Sequence, residues 1–124
     1  MDEKKVNNEV KNEAFLWRCG SINYWEKVVH QNAVKHGWWD EERSFAEIVA
    51  LCHSELSEAL EEDRAGKPMI YIKDGKPEGK AVEMADCIIR ILDWMGKANI
   101  DAEDVIATKH AYNETRPYKH GKNY

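Results

Sequence analysis

The chain predicts an all-α fold, and three features of its 124 residues carry that prediction. Apolar residues recur at three- and four-residue spacing through four separate stretches, the period of a helix with one buried face. Cap and stop residues bracket those stretches. Only one short apolar run, Met69-Ile70-Tyr71-Ile72, departs from the helical period. The expected architecture is a four-helix arrangement, with a short irregular or hairpin insert between the second and third helices.

Each element has its own justification. Residues 1–20 are polar, with sparse apolar positions at Val6, Val10, Phe15, Leu16 and Trp17, which suits an N-terminal arm or an extra helix. Residues 21–124 form the helical domain. A first helix over 21–36 sets Tyr24, Trp25, Val28, Val29 and Ala33 at helical spacing and stops near Gly37. Ser44 stands three residues before Glu47, a capping box. It opens a second helix that runs to about Ala65, before Gly66. Residues 66–79, GKPMIYIKDGKPEG, are punctuated by two prolines and three glycines, and Asp74-Gly75 is a hairpin-turn dipeptide. A third helix over 80–96 ends at Gly96. It is apolar on most sides, which marks a central, heavily buried helix. Asp101 caps a fourth helix over 102–115, stopped by Pro117, and the tail RPYKHGKNY is basic and irregular.

The length suits one domain with one core. Charged residues are a third of the chain and the net charge is -5, which argues against a general nucleic-acid binder. A nucleotide ligand stays open, because a bound divalent cation reverses the local sign. Cys19, Cys52 and Cys87 are widely spaced and form no CxxC pair, so reduced thiols of a cytoplasmic protein are expected. No apolar run approaches the roughly 20 residues of a membrane span. The opening MDEKKVNNEVKNE lacks the apolar block of a signal peptide.

The chemistry concentrates in carboxylates. On the third helix the exceptions to apolarity are Glu83, Asp86, Arg90 and Asp93, which share one stripe. The second helix repeats the spacing with Glu55, Glu58 and Glu62. Each helix therefore presents a carboxylate pair at i, i+3. If the stripes face each other, four carboxylates converge, and like charges in a partly desolvated site raise each other's pKa. A hard divalent cation resolves that conflict, and an oxygen-only ligand set suits magnesium, with manganese as a substitute. The bland alternative is two solvated helix faces. It suits Glu61 and Glu62 but fits poorly at Glu83 and Asp86. A di-iron bundle would carry Glu-x-x-His, which no glutamate here provides.

These motifs resemble a known family. Glu55-x-x-Glu58, 24 intervening residues, then Glu83-x-x-Asp86 is similar to the signature of the all-α nucleoside triphosphate pyrophosphohydrolases. These are the MazG-like proteins, with the related dCTP pyrophosphatases and dimeric dUTPases. Lys109-x-x-x-Asn113-x-x-Arg116-Pro117, the following His120-Gly121-Lys122, and the upstream Gly37-Trp38-Trp39 resemble the same pattern. The likeness covers roughly residues 22–122.

The resemblance implies a four-helix MazG-like bundle, assembled as a homodimer or homotetramer. It implies magnesium-dependent hydrolysis of a nucleoside triphosphate to the monophosphate and pyrophosphate, in the service of nucleotide-pool housekeeping. Glu55, Glu58, Glu83 and Asp86 would be the metal ligands. Lys109 and Arg116 would meet phosphate oxygens, and Asn113 the sugar or phosphate. His30 and Trp39 match positions that border the base or sugar pocket in the dCTP-hydrolysing relatives. Trp38 or Trp39 would stack on the base. Arg90 stands where those relatives carry a tyrosine. Many members open the first motif with two glutamates, whereas this chain has Ser54-Glu55. Glu55 is the candidate proton acceptor for the attacking water, and Lys109 the second candidate catalytic group. Two other classes compete with this reading: a helical interaction module, and a nucleotide sensor without turnover.

Overall fold

The computed structural model describes residues 2–15 and 20–123; Leu16, Trp17 and the thiol of Cys19 lie outside the described residues. The fold is mostly helical, as expected. Along the chain run α1 (Glu3–Phe15), α2 (Ile22–Lys35), α3 (Phe45–Arg64), β1 (Tyr71–Lys73), β2 (Lys76–Glu78), α4 (Lys80–Lys97) and α5 (Ala102–Glu114). A short 3₁₀ turn, Tyr118–Gly121, closes the tail. The two strands fall inside the expected insert, and the N-terminal segment contains a helix.

Side-chain caps start three of the helices. Ser21 accepts from the Tyr24 amide, Ser44 from Glu47 and Asp101 from Asp104. Each satisfies a backbone donor that the first helical turn leaves open. α4 starts differently, on Gly79 at φ 112°. A Cβ there would lie 2.3 Å from the Met69 carbonyl oxygen, so only glycine fits. The antiparallel hairpin pairs Tyr71 with Glu78, Ile72 with Pro77 and Lys73 with Lys76. Its turn residues, Asp74 and Gly75, both have positive φ, the geometry that matches strand twist. α1 rests on β1. Its Asn7 clips the hairpin, donating to the Ile72 carbonyl at 3.4 Å and accepting from the Gly75 amide at 3.3 Å.

α3 and α4 form the central pair, α2 packs on α4, and α5 rests on α2. The buried apolar residues are Ile48, Ala59, Cys87, Leu92 and Ala102. α4 ends within one residue of expectation, at Lys97, and Gly96 in its last turn also lets α2 approach, because an added Cβ would sit 2.7 Å from the His30 Cβ. One expectation about α4 needs correction: it is not buried on most sides. Its buried residues are Glu83, Cys87, Leu92 and Asp93, while Met84, Ile88 and Ile91 form an exposed stripe. The cause is simple: α2 and α3 cover the face that carries the carboxylates. Among the described residues no helix is long and apolar enough to cross a membrane.

Candidate functional site

The α3–α4 contact brings two acidic turns together. Glu55 and Glu58 stand one turn apart on α3, and Glu83 and Asp86 one turn apart on α4. Carboxylate oxygens of Glu55, Glu58 and Glu83 lie within 4.8 Å of one another. Glu55 and Glu83 are nearly buried, at 7% and 9% exposure, while Glu58 reaches solvent. Burial pushes the Glu83 carboxyl up to about 7, and hydrogen bonds with Glu58 and Glu55 add to the shift. Asp86 is also raised, first by burial and then by the charge of Glu55, while Arg90 opposes the rise. The Arg90 guanidinium donates from Nε to Glu55 Oε1 at 2.7 Å.

One guanidinium in contact, with the Lys76 ammonium acting from farther off, leaves surplus negative charge on four carboxylates in a half-desolvated gap. Without a cation, the group relieves that surplus by keeping a proton on Glu83. A divalent cation fits the same atoms: hard oxygen donors, closely spaced, with the charge it needs. Glu55, Glu58 and Glu83 are the residues whose converging oxygens could hold it; Asp86 sits beside them.

A cavity of about 710 Å³ opens on one side of this cluster, a volume typical of small-molecule sites. Trp25, Val28, Val29, Trp38 and Ile89 give it an apolar lining, and Glu55, Asp86, Arg90 and Arg43 supply charge. The adjacent tryptophans diverge. Trp38 lines the cavity and is 62% exposed. Trp39 turns inward, and its indole N–H donates to Asp93 Oδ1 at 2.8 Å. His30 reaches the same Asp93 oxygen through Nδ1, also at 2.8 Å. Neither His30 nor Trp39 lines the cavity; both hold Asp93, which does. Arg43 lies between the two indoles, 5.7 Å from the Trp38 ring centre and 5.6 Å from that of Trp39.

α5 places Lys109, Asn113 and Arg116 elsewhere. Lys109 Nζ is 4.8 Å from the Tyr112 ring centre, and the Arg116 guanidinium is 5.7 Å from it. Asn113 Oδ1 is buried without a hydrogen-bond partner among the described residues. None of the three lines the cavity by the carboxylates. Sequence reasoning gave no role to Asp93, Arg43 or Asn32, and set Trp25 in the core, yet all four line that cavity. Asp93 had a visible signal, since it continues the stripe of Glu83, Asp86 and Arg90.

A second cavity, of about 650 Å³, lies against Glu58 and Glu83. Lys67 and Lys76 bring cations to it, and Ser54 and Ser57 hydroxyls. No family model matches the sequence, and neither curated proteins nor solved structures match it.

Proposed function

We propose that the protein is a MazG-like nucleoside triphosphate pyrophosphohydrolase: it holds magnesium on Glu55, Glu58, Glu83 and Asp86, cuts a nucleoside triphosphate between its α- and β-phosphates, and works as a homodimer or homotetramer. One observation carries this reading. Carboxylates from two packed helices crowd a buried gap that lacks enough positive charge, beside an aromatic-lined cavity of nucleotide size.

Bound magnesium would neutralise phosphate charge and lower the pKa of its water. The chain's own groups have distinct tasks. Trp38 offers an exposed indole face on which a base can stack. Asp93 fixes the cavity wall by anchoring Trp39 and His30. Arg90 holds the Glu55 carboxylate in place through their 2.7 Å ion pair, and that carboxylate is the acceptor for the proton of the attacking water. The resemblance assigns phosphate contacts to Lys109, Asn113 and Arg116. They do not line the cavity of their own chain, so in this reading a neighbouring copy supplies them.

The test is pyrophosphate release from a panel of common ribo- and deoxyribonucleoside triphosphates with magnesium. Wild type turns over at least one of them. Glu58→Gln lowers the rate by about 10² or more, the scale of losing one preorganised transition-state contact, with the helical circular dichroism retained. A folded wild type that releases no pyrophosphate from any substrate in the panel refutes the assignment.

A further inference from the structure

The carboxylates form a wall shared by two cavities of different chemistry. Glu55 and Asp86 face the first cavity, and Glu58 and Glu83 face the second. The first is lined by indoles and aliphatic side chains. The second is polar, and its cations come from positions the proposed mechanism has not used. Lys76 is the first residue of β2, and Lys67 follows the end of α3. Of its five carboxylates, Glu58, Glu61, Glu62, Glu78 and Glu83, three already have partners, Glu61 with Arg64 at 3.6 Å among them. Glu62 accepts from the Tyr71 hydroxyl at 3.0 and 3.2 Å, and Glu78 pairs with Lys76 at 3.4 Å. The Lys76 side chain is 76% exposed, so its ammonium can swing from Glu78 toward a ligand.

A nucleoside triphosphate has a flat, largely apolar end and a polyanionic end. Laid across this wall, its base meets the first cavity and its terminal phosphates meet the second. A bare polyanion would be repelled by Glu58 and Glu83. One that arrives with its divalent counter-ion would find two ammonium groups, two hydroxyls and the carboxylates all complementary.

We propose that the second cavity is the subsite for the two terminal phosphates, and therefore for the pyrophosphate product, with Lys76 of the hairpin as its principal cation and Lys67 as its second. This rests on the nucleotide reading above and adds the hairpin to the phosphate contacts that reading takes from a neighbouring copy's α5. Hydrolysis gives the α-phosphorus the oxygen of water. The bridging oxygen leaves on pyrophosphate with its electron pair, and the water's proton goes to Glu55. Lys76 faces the charge that grows on that leaving group. The hairpin is held for the task at both ends, by Asn7 at its turn and by the close approach of Gly79 to Met69.

Calorimetric titration of the full chain with magnesium pyrophosphate tests the subsite without requiring turnover. Wild type binds it. Lys76→Met weakens binding about tenfold or more, the scale of one hydrogen bond to a charged group. Lys67→Met weakens it less, Lys76→Arg restores most of it, and binding of a nucleoside monophosphate is unchanged in Lys76→Met. Lys73→Met, on the paired strand and outside the cavity, controls for total charge and binds as wild type. Lys76→Gln repeats the contrast should the methionine variant fold poorly. The subsite is refuted by a wild type that does not bind magnesium pyrophosphate, or by equal affinity in Lys76→Met. Equal loss of pyrophosphate and monophosphate binding refutes it as well, as does loss in Lys109→Met in place of Lys76→Met. A wild type that binds in this Lys76-dependent way but hydrolyses no nucleotide refutes the hydrolase assignment alone.

Discussion

Glu83 is where burial and function pull in opposite directions. Burial pushes its carboxyl up to about 7 in the folded chain, against 4.5 for an ordinary glutamate. Between those values the folded chain binds a proton that the unfolded chain has released. Metal-free stability is therefore highest at the acid end of this window and declines as pH rises through it, levelling off above about 7. Asp86 is raised too and adds in the same direction. Glu83→Gln should flatten this decline in urea melts run with a chelator. Magnesium at 100 times its Kd should stabilise wild type by about 2.7 kcal/mol, and the variant by much less. An unchanged pH profile in Glu83→Gln would locate the proton elsewhere. Asp93 offers a second test at this scale. Its carboxylate accepts from both Trp39 and His30, so Asp93→Ala orphans two donors at a buried position. A loss of about 1–3 kcal/mol in urea denaturation is expected, with a shift in tryptophan fluorescence. The acidic pairs were legible in the sequence because helical period alone places residues i and i+3 on one face. The directions of Trp38 and Trp39 were not. Neighbouring residues just past a helix end point apart, and only the position of Asp93 decides which one turns inward.

Elements owe their relative placement to close contacts that composition hides. Gly96 reads as a stop signal, since glycine commonly follows a helix. It stands inside α4 because the backbone must come within reach of His30 on α2. Gly96→Ala puts a methyl about where His30 Cβ needs room, so α2 and α4 must move apart, at about 1–3 kcal/mol. The same shift displaces His30 from Asp93, so the cavity wall should loosen with it. Equilibrium unfolding checks the first effect. Acrylamide quenching of tryptophan checks the second, with an unchanged quenching constant counting against a tight α2–α4 crossing. Caps and breakers made most elements legible: Ser44 before Glu47, Asp101 before α5, Asp74-Gly75 in the hairpin. The sidedness of α4 was not legible. Its charged positions share one stripe, which ordinarily marks the outside of a helix, and here that stripe turned out to be the inside.

At the scale of the whole molecule the surface is too large. A compact monomer of 14.4 kDa exposes about 6,800 Å² by the usual scaling, whereas this chain exposes 9698 Å². Much of what it shows is apolar. Met84, Ile88 and Ile91 line the outer face of α4, and Leu56 and Leu60 stand one turn apart on α3. Water is a poor neighbour for such stripes, and exposed apolar patches of this kind mark association surfaces. Burial of those stripes against a second copy would remove part of that excess. It also gives α5 a reason to carry Lys109 and Arg116 away from its own chain's carboxylates, if another copy's site is the one they serve. Sedimentation velocity should find wild type as a dimer or tetramer at micromolar concentration. Each isoleucine buried in such a contact contributes about 1.5–3 kcal/mol, so replacing Ile88 and Ile91 together by aspartate should weaken association at least about a thousandfold. Helix content should survive, because neither side chain belongs to the buried set of one chain. Turnover should fall with association if α5 works in trans, and persist in the monomer if the hairpin lysines suffice. A wild type that sediments as a 14.4 kDa monomer would leave those isoleucines unexplained and remove α5 from the site.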